Sequence, residues 1–233
     1  VLRDDSDVLT KIAGAKKRRL KVNGHAPLLS GKALDKYIAA GIGDDHECSS
    51  FEEARERIRK GQWVMIREGT SARNLDDLIN LFDEPYAHRC ILVTDDKHPA
   101  DLLQNGHIDS IIRKAVRQGK NAVTGIKMAT IQAAQCLGIE NKGAIAPGYA
   151  ADLLVLNDLD TIDVCDVYLE GKKVVDNKIM TDFKTPMVRN DVEKVVRNSF
   201  YMQKLSEKSF HITPENKLCR VIKVIPGQLL TEE

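Results

Sequence analysis

His25, His46 and the acidic pair Asp95-Asp96 each follow a short apolar run and precede an amphipathic one, and Glu68 takes the same place between the second histidine and the acidic pair. These positions step along the chain by 21, 22 and 27 residues. Imidazole and carboxylate together suit zinc, iron, manganese or nickel. A divalent ion of that kind lowers the pKa of bound water toward neutrality. A neighbouring carboxylate can then take a proton and return it to a leaving group. The chemistry suggested is metal-assisted hydrolysis. Each residue alone has a plainer role: a strand-end histidine as a structural hydrogen-bonder, Asp95-Asp96 as a turn cap, Glu68 as a salt-bridged surface residue between Arg67 and Gly69. Their shared place in successive units is what joins them into a set.

Those units are short strands followed by amphipathic helices. Residues 20–22 lead to His25 and a helix over 31–40. Ile42 leads to His46 and a helix over 50–60, capped by Ser49 or Ser50. Residues 63–66 lead to Glu68 and a helix over 72–82. Residues 90–93 lead to Asp95 and Asp96 and a helix over 108–118. This alternation predicts βα units and a parallel sheet. Four different strands end in polar residues, as in the active site of a TIM barrel. No Gly-rich phosphate loop follows any strand, which weakens a dinucleotide-binding reading. A full barrel takes roughly 250 residues in eight units, and about four are found here. The expectation is therefore α/β: the second half of a (β/α)8 barrel over residues 1–137, opening on a helix over 6–20 that ends in the basic run Lys16-Lys17-Arg18-Arg19.

One more helix is expected over 130–137, after which the texture changes. Runs at 152–156, 164–169 and 172–175 read as strands, with Glu170-Gly171 as a hairpin turn. They predict a small β-sandwich portion over 138–184. Residues 185–233 read as a helical linker, with a helix over about 191–206, and then the first strand of a truncated C-terminal domain, over 219–225, with no partner of its own.

The bulk composition is that of a soluble globular chain: 233 residues, 42% hydrophobic, 30% charged, with 35 basic and 34 acidic residues for a net charge of +1. That balance argues against electrostatic nucleic-acid binding, and no apolar run reaches a membrane span. Five scattered cysteines without CxxC spacing fit a reducing, cytoplasmic setting. The chain opens on Val1, and a processed or cut product is expected.

The stretches "GHAPLLSGKALDKYIAAGIGDDHECSSFEEA", "MIREGTSARNL", "LVTDD", "GHIDSIIRKAV" and "GAIAPGYAADLLVL" together resemble bacterial adenine deaminases of the amidohydrolase superfamily. The resemblance implies a (β/α)8 barrel with a small β-sandwich and hydrolysis of adenine to hypoxanthine and ammonia at a divalent metal, manganese or iron, with zinc as the alternative. It implies that His25 and His46 are metal ligands from the fifth and sixth strands. Asp95 becomes the eighth-strand aspartate that touches the metal and shuttles the proton, Glu68 a purine contact from the seventh, and His107 a second residue beside the pocket. The family's HxH on strand one and glutamate on strand four are not in this sequence, so a central fragment is expected. The implied partner is a small molecule, adenine, with a homo-oligomer expected and neither nucleic acid nor membrane. Two other readings stay open: another cyclic-amide hydrolase, dihydroorotase-like, and a non-catalytic module that pairs with itself.

Overall fold

In a computed structural model, which describes residues 1–181, 187–197, 199–213 and 220–232, three parallel strands form the first sheet. They are β1 (Asp44–Asp45), β2 (Trp63–Arg67) and β3 (Cys90–Val93), in that order. Asp44 lies opposite Trp63, and Val64 opposite Cys90, so the three polar ends of the strands come into line. The helices are α1 (Ser6–Lys17), α2 (Gly31–Ala39), α3 (Phe51–Arg59), α4 (Leu75–Leu78), α5 (Pro99–Asn105), α6 (Ile108–Arg117), α7 (Ala122–Ala129) and α8 (Ile131–Leu137). Among the described residues no helix is long and apolar enough to cross a membrane.

Alternation along the strands divides the core in two. Val64, Ile66, Cys90 and Leu92 face the helices and pack with Leu75, Leu78, Ile111, Ile112, Ala115 and Met128. Met65 and Ile91 face the other way, against Cys136 of α8. Each fully buried aliphatic side chain stabilises the fold by roughly 1.5–3 kcal/mol, so β2 and β3, apolar on both faces, anchor the wall. Ser50 caps α3: its hydroxyl accepts the Glu53 N–H at 3.3 Å.

The wall departs from the sequence expectation at its first strand. Residues 20–22 form no strand and contribute a single backbone bond to the sheet, from Gly43 N–H to Val22 O at 3.1 Å. Side chains take over the job of a ladder there, as described below. The strand expected at Ile42 is displaced to Asp44–Asp45. The helix expected over 72–82 starts only at Leu75 and tightens to a 3-10 turn at Ile79–Phe82, because Glu68 and Arg73 first close a small antiparallel bridge. Pro99–Asn105 and Ala122–Ala129 are helices that the sequence reading left out. The first has Pro99 in its opening turn, and the second is capped by Asn121, whose side chain accepts the Val123 and Thr124 N–H groups.

The second sheet is antiparallel and has four strands: β4 (Leu153–Leu156), β5 (Val164–Leu169), β6 (Lys172–Asp176) and β7 (Ile179–Met180). Glu170 and Gly171, both with positive φ, turn β5 into β6 as expected. Beyond it, α9 (Asn190–Arg197) is shorter than the expected helix, and residues 199–206 are not helical. Of the strand expected over 219–225, Cys219 lies outside the described residues. Lys223–Val224 (β8) does have a partner, pairing antiparallel with Thr231–Glu232 (β9). The turn between them docks on the loop after β2: Arg73 N–H donates to Gly227 O at 2.9 Å, and Asn74 Nδ2 to Gln228 Oε1 at 3.1 Å.

Candidate metal centre

His25 stands in a loop held almost wholly by side chains. Three consecutive N–H groups are accepted in turn: Gly24 by Asp44 Oδ1 at 3.0 Å, His25 by the Tyr37 hydroxyl at 3.0 Å, and Ala26 by Asp45 Oδ1 at 3.4 Å. Asn23 adds a bond to Asp44 Oδ2 at 2.7 Å. Gly24 is needed for this approach, since a Cβ there would lie 2.2 Å from Asp44 O. Burial pushes the Asp44 carboxyl up, against the lowering effect of the Gly24 N–H and the Asn23 amide.

His46 follows β1 at a bend, and the next residue, Glu47, turns to the same side. His25 Nδ1 and His46 Nε2 lie 3.2 Å apart, with their rings edge to face. Glu47 Oε1 is 3.5 Å from the first nitrogen and 3.4 Å from the second. Ligand bonds of 2.0–2.1 Å in tetrahedral array would place donor atoms about 3.3–3.4 Å apart. The three atoms therefore have the spacing of three corners of such a shell, and their chemistry, two imidazoles and a carboxylate, fits a divalent cation.

Asp95 comes to the same place from β3. The chain leaves the strand through a left-handed residue, Asp95 itself with φ 48°, a conformation aspartate tolerates better than most. Its Oδ1 lies 3.8 Å from His46 Nε2. Its Oδ2 forms an ion pair with Arg67 at 2.7 Å, and the same Arg67 nitrogen donates to Asp96 Oδ1 at 3.2 Å. The other terminal nitrogen of Arg67 holds Glu47. Three carboxylates thus share one guanidinium, which leaves negative charge uncompensated beside the imidazole pair, and the buried Arg67 Nε has no hydrogen-bond partner among the described residues. At Asp96, burial raises the carboxyl pKa, but the Ser71 N–H and hydroxyl and the Arg67 guanidinium outweigh it and hold it below the usual range. Gly69 makes room for this carboxylate, because a Cβ there would collide with Asp96 Oδ1.

The five residues singled out from sequence divide by position. His25, His46 and Asp95 converge. His107 lies alongside, its Nε2 3.1 Å from the hydroxyl of Thr94, the residue before Asp95. Glu68 does not join them. It follows Val64 and Ile66 onto the helix side of β2, where Oε1 accepts the Leu75 N–H at 3.0 Å and Oε2 meets Lys114 Nζ at 3.2 Å. It lines a separate cleft of about 320 Å³ with Arg73, Lys97, Arg113 and Arg117. Two residues of the cluster, Glu47 and Arg67, escaped the sequence reading. The acidic side chain directly after His46 was the one visible signal for Glu47.

The amidohydrolase family model matches residues 5–198. The adenine deaminase of Desulfatibacillum aliphaticivorans is 41% identical over 231 residues, which is 99% of this chain and 40% of that protein. That of Clostridium acetobutylicum is 40% identical over 233 residues, again 40% of its length. The chain thus spans about 40% of the curated relatives it matches. Among solved structures, a β-aspartyl dipeptidase from Fervidobacterium islandicum AW-1 superposes with a TM-score of 0.61 at 19% identity, over 80% of this chain and 55% of that one. Ochratoxinase of A. niger gives 0.54 at 20% identity, over 76% and 48%. Both likenesses concern the fold. With strands, helices and the matched residues in agreement, the chain belongs to the amidohydrolase family.

Proposed function

We propose that the protein carrying this chain hydrolyses adenine to hypoxanthine and ammonia, using a divalent cation that His25 and His46 help to hold. The observation that carries the hydrolytic part is the triangle of His25 Nδ1, His46 Nε2 and Glu47 Oε1, with sides of 3.2 to 3.5 Å and Asp95 beside it. The purine substrate rests on the likeness to adenine deaminases along the whole chain.

A divalent cation bound there would supply Lewis acidity, polarising the amidine and lowering the pKa of the attacking water. Manganese or iron is the expected ion, with zinc as the alternative. The chain's own residues do the rest. Arg67 fixes Asp95 through Oδ2 and leaves Oδ1 directed to the imidazole side. Asp95 Oδ1 takes the proton of the water that adds to C6 and returns it to the amine as the C6–N bond breaks, so water and adenine leave as hypoxanthine and ammonia. To His107, whose Nε2 lies 3.1 Å from the Thr94 hydroxyl, we assign a place beside the purine pocket. Glu68 supports the wall through α4 and Lys114, and its reach to the base would require leaving both partners.

We assign the barrel portion to residues 1–137, the sandwich portion to 138–184 and a linker to 185–233. A reducing compartment such as the cytoplasm fits the free thiols of Cys48, Cys90, Cys136 and Cys165. A homo-oligomer is the expected assembly, to be read from sedimentation.

The test is ammonia release from adenine with added manganese or iron, in a full-length protein carrying this chain, against its Asp95→Asn variant. Loss of turnover with the fold retained supports the proposal. Turnover that survives in Asp95→Asn removes the role given to that carboxylate. Turnover of a dihydropyrimidine ring but not of adenine replaces the substrate by a cyclic amide.

A further inference from the structure

Arg57 on α3 is completely buried, and so is its partner Asp45 on β1. Among the described residues no hydrogen bond or ion pair joins either side chain to the imidazole of His25 or His46, yet their hydrogen bonds end on the backbone next to both. Arg57 Nε donates to Asp45 Oδ2 at 2.6 Å, and NH2 donates to Ala26 O, next to His25, at 2.5 Å. Asp45 Oδ1 accepts the N–H of Glu47, next to His46, at 3.0 Å, and that of Ala26 at 3.4 Å. Arg57 NH2 also meets Glu53 Oε1 at 3.0 Å. Glu53 in turn accepts the Leu28 N–H through Oε1 at 2.8 Å and the Ser49 N–H through Oε2 at 3.0 Å.

We infer that Arg57, with Asp45 and Glu53, is a positioning device that sets the separation of the His25 and His46 imidazoles. Each of the two histidine loops is gripped on both sides of the network, and neither is tied to the other by a sheet ladder along its length. Without the brace, the His25 loop keeps the bonds of Asn23 and Gly24 to Asp44, of His25 to Tyr37 and of Gly43 to Val22 O, all on the N-terminal side of Ala26. The planar guanidinium is the group that can reach Asp45, Ala26 O and Glu53 at once; a lysine ammonium at that site is a point charge and cannot span them. Partners that orient metal ligands from outside the ligand set typically change metal affinity by 10–100-fold when removed. The inference about metal affinity rests on the reading of His25 and His46 as ligands, while the grip on the two loops does not.

The experiment uses this chain with two readouts: amide hydrogen exchange at Ala26 and Glu47, and affinity for Co²⁺ followed by its absorption spectrum. In Arg57→Lys both amides are expected to exchange at least about tenfold faster, and the Co²⁺ dissociation constant to rise about tenfold or more. Leu78→Ala, a core truncation on α4 that removes no hydrogen bond of either loop, reports the effect of lost stability and is expected to leave Co²⁺ affinity within about twofold. Glu53→Gln, which keeps the shape but cannot accept from both Leu28 and Ser49, carries the same two readouts should Arg57→Lys fail to fold. Unchanged exchange at Ala26 and Glu47 would overturn the inference. So would an equal loss of Co²⁺ affinity in Leu78→Ala. If the unmodified chain takes up no Co²⁺, the ligand reading fails, and faster exchange at the two amides then decides for the brace or its absence decides against it.

Discussion

Arg67 joins Glu47 to Asp95: one terminal nitrogen holds the first carboxylate and the other lies 2.7 Å from the second. Glu47 follows β1 and Asp95 follows β3, so a side chain from the strand between them ties the two outer strand ends together. The same guanidinium reaches Asp96 at 3.2 Å. It is the cation that keeps three carboxylates together near the imidazole pair before any ion is added.

Arg67→Met is therefore expected to destabilise the chain by about 2–4 kcal/mol in the presence of a chelator. A buried pair that loses one partner typically costs about 3–5 kcal/mol, and the exposed end at Asp95 reduces that figure. Added Mn²⁺ should restore more stability in this variant than in the unmodified chain, because a divalent ion can replace the missing positive charge. Urea unfolding with and without Mn²⁺ measures both effects. A variant whose midpoint does not move in chelator would show that the carboxylates do not depend on Arg67.

Glu68→Ala separates the two faces of β2. It removes the acceptor at the first residue of α4 and the partner of Lys114. Loss of a helix-end hydrogen bond costs about 1 kcal/mol and a half-exposed ion pair up to about 1 kcal/mol, so stability should fall by about 1–2 kcal/mol. Metal affinity should stay unchanged. A fall in affinity like that caused by His46→Ala would mean that Glu68 swings to the imidazole side.

Thiol reactivity reports the integrity of the wall. Burial pushes the Cys90 thiol up to about 12, and burial together with the Asp44 charge does the same for Cys136. Burial raises Cys48 well above its ordinary value as well, with Arg57 acting in the opposite sense. The thiolate is the reacting form, so at pH 8 these three should resist a disulfide reagent until the chain unfolds. Cys165, half-buried on β5, should react first. The measurement uses a Cys219→Ser background, with the number of thiols labelled before and after adding urea. Fast labelling of Cys90 in the native chain would contradict the packing of β3.

Periodicity was a good guide wherever local pattern and packing coincide. It found β3 to the residue, placed β2, α2, α3 and α6 within a residue or two, and located the hairpin at Glu170-Gly171. It failed where distant side chains replace backbone partners. The segment before His25 looks like a strand, but it meets the sheet only through Val22 O, and the N–H groups that follow, of Gly24, His25 and Ala26, go to side chains of Asp44, Tyr37 and Asp45 on β1 and α2. The facing of Glu68 was illegible for another reason. Strands of a parallel sheet are apolar on both sides, so nothing in Trp63–Arg67 says which parity faces the helices. Glu47 was missed because adjacent residues in a strand point to opposite sides, and β1 ends one residue before that rule would apply.

The central claim is that His25 and His46 share a cation. Metal content after equilibration with Mn²⁺ or Fe²⁺ and exhaustive dialysis, measured by elemental analysis on the unmodified chain and on the His25→Ala/His46→Ala double variant, addresses it most directly. Retention of the ion by the first and its loss from the second, with both equally folded by circular dichroism, is the result expected from imidazole nitrogens 3.2 Å apart. Equal metal content in the two proteins would contradict it.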